Sequence, residues 1–236
     1  MKKSLLFFAL LGSLIFIASC KSDDPAPVVV PASWVATYSN VVLGDQNNYT
    51  NGHFLQPQTG LSIALEDVGT QERTLAMLFF TESGGANSFL TFPADGTKAS
   101  TFGTSTIRLF TQIDGGINHW NQTTLNSGKI ADYISMTPNE FTTLFTAKSW
   151  DKFNDAFKAN NSDEENLTYK LGYTLNPSVG DVYLLQFNGL VRAIMYVKGV
   201  VTSGASGGNI RFDLIVEGRD IYSNNSEANQ LQPLKR

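Results

Sequence analysis

The residues of this chain best suited to chemistry are a single cysteine and two histidines. Among the 236 residues, Cys20 is the only cysteine, and His53 and His119 are the only histidines. A structural zinc site needs four ligands, usually Cys or His, so the composition predicts no metal site. His119 precedes Trp120 in a stretch rich in Gly and Asn, and loops of this kind often carry binding residues. We therefore regard His53, His119 and Trp120 as candidate ligand-binding residues. Trp120 is either an exposed aromatic platform or a cap on one end of the fold.

Sequence signals for catalysis are weak. We expect no Gly-x-Ser-x-Gly nucleophile elbow, and neither histidine lies in a context typical of a Ser-His-Asp site, so we expect no nucleophilic catalysis. A carboxylate pair that cleaves glycosidic bonds stays open, because acids far apart in sequence can meet in space. The candidate acids for such a pair are Glu66, Asp67, Glu82 and Asp114. Their alternative role is ordinary surface charge.

The first nineteen residues are typical of a secretory signal peptide. Lys2 and Lys3 precede an apolar stretch at residues 5–19, which is too short to span a bilayer. The tetrapeptide Ile-Ala-Ser-Cys that ends at Cys20 resembles a lipobox. That resemblance implies that the Cys20 thiol receives diacylglycerol, that the chain is cut before it, and that the new amine is acylated. The alternative is a buried or free thiol, which the position of Cys20 after the apolar stretch disfavours.

Residues 20–32 are predicted to be the lipidated cysteine and a flexible tether. Charged residues at 21–24 precede a proline-rich run at 25–31, which favours an extended polyproline conformation. A basic residue followed by acids after the cysteine is similar to the surface-export signal of Bacteroidota lipoproteins. The similarity implies a chain in the cell envelope, anchored by lipid in the outer membrane and exposed at the cell surface. A plain solvated linker is the alternative.

Residues 33–236 are predicted to form a single domain of mainly β structure. Runs of alternating apolar and polar residues predict strands, and clusters of Gly, Asn, Asp and Pro separate them. The predicted strands are residues 34–43, 60–68, 74–81, 88–92, 105–112, 181–187, 190–197 and 210–217. Short strands at such intervals are typical of an antiparallel β-sandwich or a barrel-like domain.

The last three of these strands have the clearest pattern. Asn188-Gly189 between two apolar runs predicts a two-residue hairpin. The final strand has an apolar face of Ile210, Phe212, Leu214 and Val216, and a polar face of Arg211, Asp213 and Glu217. A weak repeat, Leu-x-Pro-x-x-Gly at residues 55–60 and 175–180, suggests two related lobes, although common turn chemistry also explains it.

One short helical segment is predicted at about residues 138–159. Thr137, Pro138 and Glu140 have the spacing of a capping box with proline at the first helical position. The apolar spacing at 141–145 does not continue into the spacing at 150–157, so we expect a break near Lys148. Both parts are expected to pack on a sheet.

Composition and charge limit the partners. The chain is 42% apolar and 16% charged, which is typical of a domain with an ordinary hydrophobic core that needs no cofactor for stability. Only two of the 17 basic residues precede Cys20, so 15 basic residues stand against 21 acidic ones in the rest of the chain. This balance disfavours a nucleic-acid partner.

The chain resembles a family of uncharacterised Bacteroidota lipoproteins. The similarity lies in LGDQN at residues 43–47, GHF at 52–54, TG at 59–60, GDVY at 180–183, residues 192–200 and GNIRFD at 208–213. The closing hairpin is also similar to that of HmuY-like haem-scavenging lipoproteins, which are all-β and bind iron with paired His or Met side chains. This weaker resemblance implies that His53 and His119 together hold haem, and it is the only feature that implies a cofactor.

Three functions are compatible with these features. The first is a lipid-anchored, non-catalytic binding module that holds a glycan or a protein partner of an outer-membrane uptake complex. The second is a surface lipoprotein that binds haem or another porphyrin. The third is a carboxylate-based hydrolase. We expect the first, because the predicted anchor and tether are the clearest signals and the catalytic ones are weak.

Overall fold

The computed structural model describes residues 33–69, 72–82, 86–96, 126–132, 135–160, 172–188, 191–202 and 207–219. Within these ranges lie ten strands: β1 (Ser33–Gly44), β2 (Phe54–Gln56), β3 (Leu61–Ile63), β4 (Met77–Thr81), β5 (Ser88–Thr91), β6 (Gly128–Asp132), β7 (Tyr173–Leu175), β8 (Val182–Phe187), β9 (Val191–Val201) and β10 (Asn209–Arg219). A single helical turn at Pro93–Gly96 follows β5, and two longer helices, α1 (Pro138–Ala147) and α2 (Trp150–Asn160), follow β6. None of these helices is long and apolar enough to cross a membrane.

The strands form two five-stranded sheets. Sheet A has the order β1-β10-β9-β8-β6, and sheet B has the order β3-β2-β4-β5-β7. Every pair of neighbouring strands is antiparallel. The predicted antiparallel β-sandwich is therefore confirmed, as are the pairing of β8 with β9 and the third strand β10. The predicted two-residue hairpin is wrong, because Phe187 pairs with Val191 and three residues separate them.

The main core fills the space between the two sheets. Its buried side chains come from both of them, with Leu55, Met77, Phe79 and Leu90 on sheet B and with Leu43, Leu185, Phe187, Val197, Phe212 and Leu214 on sheet A. The apolar face predicted for the final strand points into this core, because Ile210, Phe212, Leu214 and Val216 all belong to it. Burial of such side chains is the main favourable term in folding.

The outer face of each sheet is covered as well. The helices α1 and α2 cover sheet A, and a second core forms there around Ala131, Leu184, Ile194 and Ile215. Short turns cover sheet B, whose outward side chains Phe54, Leu78, Phe80 and Phe89 form a third core with Val68 and Leu75. A strand that is covered on both faces has no solvent-facing residues, so β4 and β8 are buried along their whole length.

The helical segment has the predicted start and the predicted break. The Thr137 side chain accepts a hydrogen bond from the Glu140 amide, and the Glu140 carboxylate accepts from the Thr137 amide at 2.7 Å. The Glu140 carboxylate also accepts from the Thr137 hydroxyl at 2.8 Å, and its hydrogen bonds from the Thr137 amide and hydroxyl hold the pKa of Glu140 below its usual value. Lys148 has φ 50°, a left-handed conformation that ends α1 and turns the chain into α2. The single predicted segment is therefore two helices, and both pack on sheet A.

A buried ion pair fixes α2 on the sheet. Arg192 Nε donates to Glu217 Oε2 at 2.6 Å, and both side chains are almost fully buried. Arg192 also donates to Asn154 of α2 at 3.0 Å. Its guanidinium lies 5.1 to 5.6 Å from the ring centroids of Trp150, Phe153 and Phe157. We call this group the Arg192 cluster.

The predicted polar face of β10 is not exposed to solvent where the Arg192 cluster lies. Glu217 lies on that face, as expected, yet it is fully buried because α2 covers this part of the sheet. Ile215, on the same face, is buried too. Strand alternation predicts which face a residue occupies, but the packing of other elements decides whether that face meets water.

Three predicted strands differ from the structure or lie outside it. The segment 60–68 is a strand only at Leu61–Ile63, and a 3₁₀ turn follows at Leu65–Asp67. The strand ends there because the Leu65 amide donates to a ring nitrogen of His53 rather than to a neighbouring strand. The segment 74–81 becomes a strand only at Met77, after a 3₁₀ turn at Glu72–Thr74. Residues 105–112 lie outside the described residues.

The two copies of the weak sequence repeat form different turns, because the Gly60 amide donates to Gln56 within its own turn and the Gly180 amide donates to Val197 of β9. Each begins in a strand and reaches a glycine with positive φ, 68° at Gly60 and 100° at Gly180. The first copy joins β2 to β3, which pair in one sheet. The second joins β7 of sheet B to β8 of sheet A. A division into two related lobes stays a prediction.

Candidate functional site

Several polar connecting segments lie at one end of the sandwich. β1 ends there at Gly44, which pairs with Asn209 at the start of β10, and Asn209 pairs with Val201 at the end of β9. Thr81 at the end of β4 is hydrogen-bonded to Asp45 and Gln46, so the same end of sheet B lies beside it. We call this the loop end, comprising residues 45–53, 81–82, 176–181 and 207–208. The first residue of β1, Ser33, pairs with Arg219 at the opposite end.

A buried polar group holds the first segment of the loop end, residues 45–53. Asp45, Asn48 and His53 are at most 5% exposed, and Thr81 and Gln46 are buried beside them. The Asp45 carboxylate accepts from the Thr81 hydroxyl at 2.5 Å and from the Asn47 amide at 2.9 Å. We call these five buried residues the Asp45 cluster. Buried polar groups with their hydrogen bonds made fix one conformation of the chain.

Asn48 organises the turn in the middle of this segment. Its side-chain oxygen accepts from the backbone amides of Thr50 and Asn51, each at 3.0 Å. Its side-chain amide donates to the Gly208 carbonyl at 3.0 Å, and the Asp45 amide donates to the same carbonyl at 2.9 Å. The turn is thereby fastened both to itself and to the start of β10.

The glycines beside Asn48 are required by close packing. A Cβ atom at Gly207 would lie 2.6 Å from the backbone of Asn47 and Asn48, and Gly207 also has a positive φ of 78°. A Cβ at Gly208 would lie 2.6 Å from the Val201 carbonyl and 2.7 Å from Asp45 Oδ2. Any side chain at either position would therefore push residues 45–48 out of place.

His53 is a buried part of this cluster. Its Nδ1 accepts from the Leu65 amide at 3.1 Å, so the ring proton lies on Nε2, which donates to the Asn48 carbonyl at 2.9 Å. Burial lowers the pKa of His53, although the Asn48 hydrogen bond and the carboxylates of Glu66 and Asp45 oppose that shift. Both nitrogens of the neutral ring are engaged within the chain, which leaves neither available to an iron atom.

Tyr49 is the residue that this arrangement presents to solvent. It is 87% exposed at the tip of the segment, directly after the buried Asn48. Asn47 and Thr50, which flank this pair of residues, are also exposed. The sequence prediction missed Tyr49, although an aromatic within Asn-Asn-Tyr-Thr-Asn has the same kind of context that singled out Trp120.

A cavity of about 400 Å³ opens at the same end, between the edges of the two sheets. Asp132 of β6, Thr174 of β7, and Asp181 and Tyr183 of β8 and its approach contribute to its lining. The Tyr183 hydroxyl donates to Asp181 Oδ2 at 2.7 Å, which also accepts from the Ser178 amide at 2.7 Å. Burial, with the Asp181 hydrogen bond second, raises the pKa of Tyr183 well above its usual value. Asp181 thus shapes the turn at 178–181.

Three of the four acids proposed for a catalytic pair, Glu66, Asp67 and Glu82, do not line this cavity, and the fourth, Asp114, lies outside the described residues. Glu66 and Asp67 are exposed on the turn Leu65–Asp67, and Glu82 accepts from the Asn87 side chain at 2.7 Å beyond the end of β4. The acids that do line it, Asp132 and Asp181, were not singled out. No local pattern marks them, because their proximity depends on the pairing of β6 with β8.

The remaining predicted site residues, Cys20, Asp114, His119 and Trp120, lie outside the described residues. Within the described ranges, no group of three or more His, Cys, Asp or Glu side chains is placed as metal ligands would be. The expectation that the sequence lacks a Gly-x-Ser-x-Gly spacing is wrong, because the segment 204–208 has it. It connects the antiparallel strands β9 and β10, whereas a nucleophile elbow connects a strand to a helix.

Comparison with known proteins gave no significant match. No family model matches the sequence, and neither the curated proteins nor the solved structures contain a significant match to it.

Proposed function

We propose that this protein is a lipid-anchored lipoprotein of the cell envelope whose β-sandwich is a non-catalytic binding module. In this proposal Cys20 carries the lipid, residues 21–32 form the tether, and the loop end holds the ligand. The ligand is a glycan or a protein partner in the outer membrane. The observation that carries the proposal is the position of the loop end, which lies at the far end of β1 from Ser33, where the tether joins the sandwich.

The dimensions favour a ligand site that faces away from the membrane. β1 has 12 residues, so the two ends of the sandwich lie about 35 Å apart at roughly 3.3 Å per residue. A ligand at the loop end would therefore lie a full strand length from Ser33, where the chain enters the sandwich, which suits contact with large ligands.

The haem alternative is less well supported. It needs His53 and His119 as a pair of ligands, and both ring nitrogens of His53 are hydrogen-bonded within the fold. Coordination of iron by His53 would break the contact to Asn48 or to Leu65, and it would open the buried Asp45 cluster. Absence of a Soret shift on addition of haem would remove this alternative.

The hydrolase alternative now rests on the cavity lined by Asp132 and Asp181. The two acids and the Tyr183 hydroxyl face a space large enough for a sugar unit. Turnover of a polysaccharide that is lost in both Asp132→Asn and Asp181→Asn variants, yet kept in Asp67→Asn, would establish a hydrolase. It would also overturn the non-catalytic proposal.

Membrane fractionation tests the anchor. We expect the parent chain in the membrane fraction, labelled by palmitate, and the Cys20→Ser variant unlabelled and released. Ser22→Ala, two residues away, is the matched control and should behave as the parent does. Equal membrane association of parent and Cys20→Ser chains would overturn the anchor.

Cysteine labelling on intact cells tests which side of the membrane the loop end occupies. A lipidated Cys20 has no free thiol, so an introduced cysteine is the only target for a maleimide that does not cross membranes. Thr50→Cys is exposed and should be labelled, whereas Leu43→Cys, fully buried, should not. Labelling of Thr50→Cys only after lysis would contradict surface exposure.

A further inference from the structure

We propose that Tyr49 is the platform on which a neutral carbohydrate binds, with the face of a pyranose ring stacked on the aromatic ring. This inference rests on the proposed binding function and deepens it by naming the contact residue and the class of ligand. The site consists of Tyr49 with its exposed neighbours Asn47 and Thr50.

Rigid support distinguishes Tyr49 from an ordinary exposed apolar residue. Single exposed apolar side chains are common and need no explanation. Tyr49, however, follows Asn48 directly, and Asn48 is fixed by hydrogen bonds to Thr50, Asn51 and Gly208. The base of the segment is fastened to sheet B through Asp45 and Thr81. An aromatic ring held on a rigid base loses little conformational entropy on binding, which favours affinity.

The chemistry around Tyr49 fits a sugar. Sugars combine an apolar ring face with hydroxyl groups, and a tyrosine ring offers an apolar face to the first. The side-chain amide of Asn47 and the hydroxyl of Thr50 can each both donate and accept hydrogen bonds, as recognition of sugar hydroxyl groups requires. Both residues are exposed, Asn47 just before the buried Asn48 and Thr50 just after Tyr49.

The charge at this site favours a neutral ligand over an acidic one. Residues 47–51 contain no charged side chain. The nearest acid in the segment, Asp45, is buried and hydrogen-bonded to Thr81 and Asn47. With a net charge of −4, the chain as a whole also repels polyanions. We therefore expect neutral oligosaccharides to bind and sulfated or uronic-acid polymers to bind less.

A glycan array of neutral and acidic oligosaccharides, probed with the full chain in detergent, tests the inference. Titration calorimetry with the neutral oligosaccharide that is retained best then compares variants. We expect Tyr49→Ala to weaken binding at least tenfold, and Tyr49→Phe to stay within about threefold of the parent because the stacking face is kept. Leu61→Ala, which removes another exposed apolar side chain on β3, is the matched control and should bind as the parent does.

Rigid support has its own test. Asn48→Ala keeps the Tyr49 side chain but removes the hydrogen bonds that hold its segment. We therefore expect weaker glycan binding with an unchanged far-ultraviolet circular dichroism spectrum. If the parent chain retains no neutral glycan, or if Tyr49→Ala binds as the parent does, the inference is wrong. Neither result affects membrane fractionation with Cys20→Ser or surface labelling of Thr50→Cys, so failure of this inference is distinguishable from failure of the proposed function.

Discussion

The Arg192 cluster and the Asp45 cluster are both buried and polar, but they have different roles. Arg192 and Glu217 pair on the outer face of sheet A, and three aromatic rings of α2 enclose the guanidinium. The Asp45 cluster lies at the loop end and fastens backbone amides and carbonyls of residues 45–53. One cluster joins two layers of the fold, and the other sets the shape of a surface segment.

The buried residues around Arg192 stabilise the fold, whereas those around Asp45 hold the exposed Tyr49 in position. Around Arg192, aromatic side chains supply most of the packing, and the ion pair satisfies a charge that α2 removes from water. Around Asp45, the hydrogen bonds fix the segment on both sides of Tyr49, which is itself exposed and contributes little to any core. We therefore expect damage to the Arg192 cluster to lower global stability, and damage to the Asp45 cluster to lower ligand binding more than stability.

Loss of Glu217 is expected to be the most damaging single change. Glu217→Gln leaves Arg192 as an uncompensated buried charge, which costs about 3–5 kcal/mol of unfolding free energy. Urea titration of the full chain measures it. The double variant Arg192→Met with Glu217→Leu removes both charges and should be less destabilised than Glu217→Gln alone. If the double variant loses as much unfolding free energy as Arg192→Met and Glu217→Leu lose in sum, the two side chains are not coupled. The contrast between the Arg192 and Asp45 clusters would then be wrong.

Loss of Asp45 is expected to cost less stability. Asp45→Ala leaves the Thr81 hydroxyl and the Asn47 amide without their acceptor, which costs about 1–3 kcal/mol. Binding of the neutral glycan should fall more steeply than this loss of stability implies, because Tyr49 loses its support. Asp67→Ala, at an exposed acid, is the control and should change neither quantity. A double-mutant cycle with Thr81→Val measures the coupling energy between the two side chains. A value near zero would show that the hydrogen bond between Asp45 and Thr81 does not contribute to stability.

A smaller change in stability is expected at the start of α1, outside both clusters. Thr137→Ala removes the capping box and costs about 1 kcal/mol. Thr143→Ala, in the exposed middle of the same helix, should be neutral or slightly stabilising because alanine is the better helix former. Neither change should alter glycan binding. A loss of binding in Thr137→Ala would show that the helices and the loop end are coupled.

His53 is expected to contribute a weak pH dependence of stability. Burial lowers the pKa of His53 in the folded chain below its usual value of 6.5. The unfolded chain therefore takes up a proton first as the pH falls through 6.5, and the free energy of unfolding decreases towards the lower folded pKa. Above pH 6.5 this contribution is fully present. Urea titrations between pH 7.5 and 5.5 should show the loss in the parent but not in His53→Gln. Loss of the slope in His119→Gln instead would contradict this assignment.

Local sequence patterns were sufficient for much of the fold. The pairing of β8 with β9, the alternation in β10 and the capping box at Thr137 each depend on residues close together in the chain, so they could be predicted. The end of β3 could not, because it depends on His53, twelve residues from Leu65. The burial of Glu217 could not either, because it depends on α2.

The candidate site was predicted less well than the fold. His53 was selected for its side-chain chemistry, but its position inside the Asp45 cluster gives it a structural role. Tyr49 was passed over, although its local context is of the same kind as that of Trp120. What could not be predicted is the hydrogen bond from Asn48 to Gly208, 160 residues away, which holds its segment. Asp132 and Asp181 meet at one cavity through strand pairing and were not singled out.

Alternation and capping along the chain were enough to specify β1, β5, β8, β9, β10 and the two helices, although β2, β6 and β7 were not predicted. The predicted signal peptide and lipid attachment at Cys20 are local features of the same kind. Each involves a few neighbouring residues, where backbone sterics and local hydrogen bonding decide the outcome. Long-range packing settled which polar residues are buried, which aromatic ring faces solvent, and which end of the sandwich lies opposite Ser33. Those properties follow from how the two sheets and two helices pack, and packing joins residues that the chain keeps far apart.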